Sequence, residues 1–175
     1  MSRINTLAPE AAPEASQATL SAIAAKLGRV PNFFRVLSNS PAALGAHGAL
    51  SQALGKALDV KTRERIALTV AAVNGCEYCD AAHTFTGFNL AKLSREEIDL
   101  ARQGTSAEPR AAAAAAFARR VAEARGKVSQ RDVDAVRAAG FSEAQIVEIV
   151  AVMAENFFTN LINNVAATEV DFPAI

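Results

Sequence analysis

The chain has 175 residues, a length that fits one domain and can bury enough surface to fold without disulfide staples. Lysine plus arginine and aspartate plus glutamate each number 18, and no basic stripe is interleaved with aromatics, which argues against electrostatic recognition of nucleic acid. Half of the residues are apolar, but aromatics make up only 6% and tryptophan is absent, so the expected core is one of small side chains and close helix contacts.

Residues 1–14 lack the apolar segment of a secretory signal. The strongly apolar runs, such as 146–154, contain charge and fall short of the roughly 20 residues of a membrane span. A cytoplasmic protein with no membrane partner is therefore expected. The rest of the chain divides into helices with clear start and stop signals. Residues 13–27 form an amphipathic stretch closed by Gly28. In Val30-Pro31-Asn32-Phe33-Phe34 the proline is expected at the first position of a short apolar helix ending near Ser40, and Ser40-Pro41 opens another over 42–54. Asp59 can cap a helix whose apolar residues Ile66, Leu68, Val70 and Val73 keep helical spacing. Asn74-Gly75 ends it as a C-cap, because the flanks lack the period-two alternation that a hairpin needs. The next helix carries Cys76 and runs to about Leu90. Ser94 with Glu97 and Ser142 with Gln145 have capping-box spacing, and Ser129 with Asp132 is a weaker variant. Gly104, Gly126 and Gly140 mark further helix ends, and the alanine run 111–116 reads as ordinary helix, alanine being the best helix former. The expected class is all-α, in a single domain.

The two cysteines form one motif, Cys76-Glu77-Tyr78-Cys79, too few for a disulfide scaffold and typical of redox chemistry or of part of a metal site. With Cys76 at the start of a helix, Cys76, Cys79 and His83 project from one face over two turns. An imidazole one turn from a thiol can exchange a proton with it, and the first helical turn offers N–H groups that favour thiolate. If the preceding helix folds back antiparallel across Asn74-Gly75, Glu64 lies level with Phe85, within a turn of His83. A carboxylate there can orient the imidazole or hold a water that relays the cysteine proton.

Glu64, a gap of twelve, then Cys76-x-x-Cys79-x-x-x-His83 resembles the active-site pattern of AhpD-like alkylhydroperoxidases, within the carboxymuconolactone decarboxylase superfamily. The segment Val30-Pro31-Asn32-Phe33-Phe34-Arg35-Val36-Leu37 with Ser40-Pro41, and the stretch from Asn160 to Pro173, are similar to the two ends of its peroxidase-related branch. The resemblance implies a single AhpD-like helical bundle over 1–175, with a core at about 40–125, helical extensions at both ends, and the C-x-x-C pair at a helix N-terminus. It further implies a homo-oligomer and a thiol-dependent peroxidase or disulfide oxidoreductase. Cys79 would attack the peroxide, Cys76 would resolve the sulfenic acid to a disulfide, and Glu64 with His83 would relay protons. A hydroperoxide or disulfide is then the substrate, a separate thiol protein the reductant, and neither a cofactor nor a metal is called for.

From the residues alone, the helix N-terminus favours Cys76 as the lower-pKa thiol, whereas proximity to His83 favours Cys79. Well-studied family members have histidine where this chain has Tyr78, and the neighbouring Glu77 and Asp80 would raise a thiolate pKa by like-charge repulsion. A tetrahedral zinc site from both thiolates, His83 and Glu64 is chemically conceivable, but one helix at these spacings does not resemble zinc knuckles. Glu64 taken alone, between Arg63 and Arg65, would be a solvated charge. The family's lactone decarboxylases lack the C-x-x-C pair and are disfavoured. A redox-sensing or scaffold protein with a switchable disulfide and no turnover is the alternative from outside enzymology. His47 is expected to be structural. Phe33, Phe34, Phe157 and Phe158 are expected in the core or a subunit contact. Asn156, Asn160 and Asn164, with Asn163 beside them, make a polar stripe that reads as an interface or a site wall, with the interface favoured.

Overall fold

In the computed structural model, residues 2–175 are described; Met1 lies outside them. After a 3-10 turn at Pro9–Ala11 come nine α-helices among the described residues: α1 (Glu14–Leu27), α2 (Asn32–Leu37), α3 (Pro41–Leu54), α4 (Val60–Asn74), α5 (Glu77–Asn89), α6 (Arg95–Arg102), α7 (Pro109–Ala124), α8 (Gln130–Ala138) and α9 (Glu143–Ala166). No strand occurs among these residues, so the all-α expectation holds.

Helix α4 is the centre of the molecule. It packs against α5, α6, α7 and α9, and every residue from Arg65 to Ala71 is buried. Ile66 and Val70 join Phe117 and Val121 of α7 and Ile149 and Val152 of α9 in the largest apolar cluster. Leu68, on the opposite side, meets Leu93 and Ile98. A helix enclosed on all sides must account for its polar groups. The Arg65 guanidinium pairs with Glu97 at 2.8 Å and Glu108 at 2.9 Å, and the Thr69 hydroxyl lies 2.7 Å from the Ala101 carbonyl.

Helix starts follow the sequence closely. Ser40, Asp59 and Ser142 accept hydrogen bonds as N-caps, and Ser142 with Gln145 closes a full capping box. Ser129 with Asp132, read as the weaker variant, also closes one. Ser94 caps α6, but its Glu97 carboxylate turns instead to Arg65, Ser106 and the Ala107 N–H, because a buried guanidinium is a stronger partner than a helix-end amide. Pro31 stands one residue earlier than expected, at the N-cap of α2. Gly75 adopts φ +60° at the end of α4, which turns the chain directly into α5.

Helix α9, at 24 residues, is the one described helix long and apolar enough to cross a membrane by length and composition. Here Ile149, Val152 and Asn160 lie buried against the body of the protein, whereas Val147, Leu161 and Val165 face outward.

Candidate active site

The reversal at Gly75 makes α4 and α5 antiparallel, and the site lies between them under the flank of α9. Cys76 is the N-cap of α5, and its Sγ accepts the Cys79 N–H at 3.2 Å. A disulfide joins Cys76 to Cys79, and both residues are buried, at 2% and 3% exposure. One turn further along α5, His83 Nδ1 is 3.0 Å from Glu64 Oε2 of α4. The fold-back placement of Glu64 opposite His83 is therefore what the structure shows.

Glu64 is not the solvated charge its arginine neighbours suggest in isolation. Its side chain is only 16% exposed, and the same Oε2 accepts the Thr86 hydroxyl at 2.7 Å. Burial pushes its carboxyl upward, but the His83 charge, the His83 and Thr86 hydrogen bonds and Arg63 outweigh that and hold it below the usual carboxylate range. For His83, burial would lower the pKa, and the Glu64 carboxylate, with Glu155 and Asp80 adding to it, holds it above the ordinary imidazole value. Each partner thus favours the charged form of the other. Glu155, on α9, is kept above its ordinary value by burial, partly offset by a Ser51 hydrogen bond and by the charges of His83 and Arg63.

The expected repulsion from Asp80 is tempered by a partner out of reach of sequence spacing. Arg102 of α6 grips both Asp80 oxygens, at 2.7 and 3.0 Å, and also bonds the Thr84 hydroxyl. Tyr78 is buried in the same cluster as the two cysteines and is tied to α2 and the tail. Its hydroxyl accepts the Phe33 N–H at 3.0 Å and donates to Asp171 at 2.9 Å, and burial raises its pKa well above the ordinary phenol value. Asp171 also accepts the Asn32 N–H at 3.0 Å and pairs with Arg29, so the C-terminal tail, α2 and the active-site helix meet at one carboxylate.

Of the two readings of the asparagine stripe, the site wall fits Asn160 and Asn163, which are buried within the chain. Asn160 accepts from Asn74, Asn164 donates to the Asn74 carbonyl, and Asn163 places its Nδ2 3.4 Å from Cys79 Sγ. Asn160 and Asn163 are buried, whereas Asn164 is exposed and reaches the end of α4 from the rim. His47 is buried against the Phe33, Phe34 and Phe158 rings, where burial lowers its pKa. It also lines an open groove of about 450 Å³ between α1 and α3. The sequence pattern missed Thr86, Glu155 and Asp171 as site neighbours, and it gave Asn163 only as a member of the polar stripe. Thr86, one turn from His83 on the same face, was the most findable of them.

With this geometry in hand, the class of the protein follows. Residues 41–124 match the carboxymuconolactone decarboxylase family, and the all-helical fold is similar to that of AhpD-like proteins. Among solved structures it is similar to a peroxidase-related protein with an alkylhydroperoxidase AhpD core from Ralstonia eutropha JMP134. The identity is 27%, the TM-score 0.87, and the match covers 97% of this chain and 92% of that one. A peroxidase-related protein from Silicibacter sp. TM1040 has the same fold at 22% identity and TM-score 0.81, over 95% and 89% of the two chains. So does the debrominase Bmp8 in complex with 2,3,4-tribromopyrrole, at 21% identity and TM-score 0.75, over 89% and 84%. Among curated proteins no sequence match is found.

Proposed function

We propose that the protein is a thiol-dependent oxidoreductase that reduces hydroperoxides through a Cys76–Cys79 cycle served by a Glu64–His83 proton relay. The observation that carries this is the 3.0 Å contact between Glu64 and His83 one turn from a C-x-x-C disulfide. In the reduced enzyme, the Cys79 thiolate attacks the peroxide: an S–O bond forms, the O–O bond breaks, and Cys79 becomes a sulfenic acid. The leaving alkoxide takes a proton from His83, whose charged form Glu64 stabilises. The Cys76 thiol then displaces the sulfenic hydroxyl as water and forms the disulfide, so the two thiols have given two electrons to the peroxide. A dithiol protein restores them by thiol–disulfide exchange. A second copy of the chain would seat on the exposed Val147, Leu161 and Val165 of α9.

The burial of both sulfurs favours a second reading, a redox switch whose disulfide alters assembly without turnover. One experiment separates the two. Reduced wild type, Cys76→Ser and Cys79→Ser are each mixed with cumene hydroperoxide, quenched with an alkylating agent and weighed as intact protein. The peroxidase reading expects one disulfide in wild type and a sulfenic acid accumulating only in Cys76→Ser. Thiols that stay reduced at millimolar peroxide, with oligomer size that changes on oxidation by a disulfide reagent, would overturn it in favour of the switch.

A further inference from the structure

A buried amide needs partners for both its donor and its acceptor. Asn163 is 4% exposed, its Nδ2 points at Cys79 Sγ from 3.4 Å, and its Oδ1 is fully enclosed with no partner. The other buried amides of the stripe bond to the frame: Asn156 donates to the Val152 carbonyl one turn back, and Asn160 accepts from Asn74 through Oδ1 while its Nδ2 has no partner. Only Asn163 spends its donor on a sulfur, and a disulfide sulfur is a weak acceptor.

That bond changes in value when the disulfide opens. A thiolate is an ionised acceptor, and hydrogen bonds to ionised groups are roughly twice as strong as neutral ones. Cys76 already has the Cys79 N–H at the helix terminus. Asn163 gives the other sulfur a donor of its own, delivered from α9 rather than from the helix that carries the cysteines. The unpartnered Oδ1 leaves an acceptor for the hydroxyl that Cys79 gains on oxidation.

We propose that Asn163 is a further catalytic residue of the cysteine cycle, its Nδ2 amide binding the Cys79 thiolate and its Oδ1 accepting from the Cys79 sulfenic acid. The inference rests on the reading above in which Cys79 is the nucleophile. It also resolves the competition between the two thiols, since the amide touches only Cys79.

The test uses the Cys76→Ser background, where one thiol remains and serine keeps the N-cap acceptor. The rate of iodoacetamide alkylation is followed against pH. Adding Asn163→Leu is expected to raise the apparent Cys79 pKa by about one unit, leaving roughly tenfold less thiolate below it. Adding Asn163→Asp, which keeps the shape but replaces the donor with a carboxylate, raises it further. An unchanged profile in folded Asn163→Leu overturns the proposal. Should the leucine variant fail to fold, the native amide decides: the Asn163 side-chain N–H resonances of Cys76→Ser must shift with the same midpoint as alkylation, and static resonances overturn the proposal. Neither readout needs peroxide turnover. A shifted thiol pKa in a protein that does not consume peroxide upholds Asn163 and refutes the peroxidase reading; turnover with a static amide does the reverse.

Discussion

Replacing Glu64 by glutamine keeps an acceptor for His83 and Thr86 but removes the charge, and the structure sets the size of the result. Two unit charges about 4 Å apart at an effective dielectric of about 20 interact by about 4 kcal/mol. The His83 and Glu64 side chains are 27% and 16% exposed, so solvent screening reduces this to about half. The His83 pKa is therefore expected to fall in Glu64→Gln, since the carboxylate that holds it up is gone. The raised imidazole contributes stability that is full below its unfolded value of 6.5 and is lost as pH rises through its higher native pKa. The depressed carboxylate contributes above its unfolded value of 4.5 and loses that contribution as pH falls through its lower native pKa. The pair thus acts between these limits. The variant should lose about 2 kcal/mol, or about 5 °C in Tm, near pH 5.5, with the difference shrinking once His83 is neutral in the wild type. The chain has only two histidines, so imidazole resonances followed by NMR against pH read the effect directly. In the wild type they should straddle 6.5, with His47 below it and His83 above. Two imidazoles titrating below 6.5 in the wild type, or a His83 unmoved in the variant, would refute the reasoning.

Tyr78→Phe deletes the hydroxyl that joins α2 to Asp171 and leaves the buried Phe33 N–H unpaired, a loss of about 2 kcal/mol by denaturant titration. The same variant should be cut sooner by protease in the tail beyond Ala166, because Asp171 loses its tie to the active-site helix. Arg65→Met removes a guanidinium that is 3% exposed and leaves Glu97 of α6 without its cation, so it should cost about 3 kcal/mol; a melt within a degree of wild type would show that the ion pair is dispensable.

How much of this was legible in the sequence varies with the range of the interaction. Helix boundaries were, because caps such as Asp59, Ser129 and Ser142 and stops such as Gly28 and Gly75 act within one turn. The Glu64–His83 pair was also within reach, since a two-residue turn between antiparallel helices fixes which positions face each other. The chain's own sequence therefore determined the helices and the shared face of Cys76, Cys79 and His83. Tertiary structure alone decided which distant groups complete that face. Asn163 lies 84 positions from Cys79, and Asp171 lies 93 from Tyr78. Arg102 reaches Asp80 from a different helix. No spacing rule joins such pairs. Their meeting depends on how α6, α9 and the tail pack around α4, and that packing is set by the summed burial of many apolar side chains rather than by any local signal.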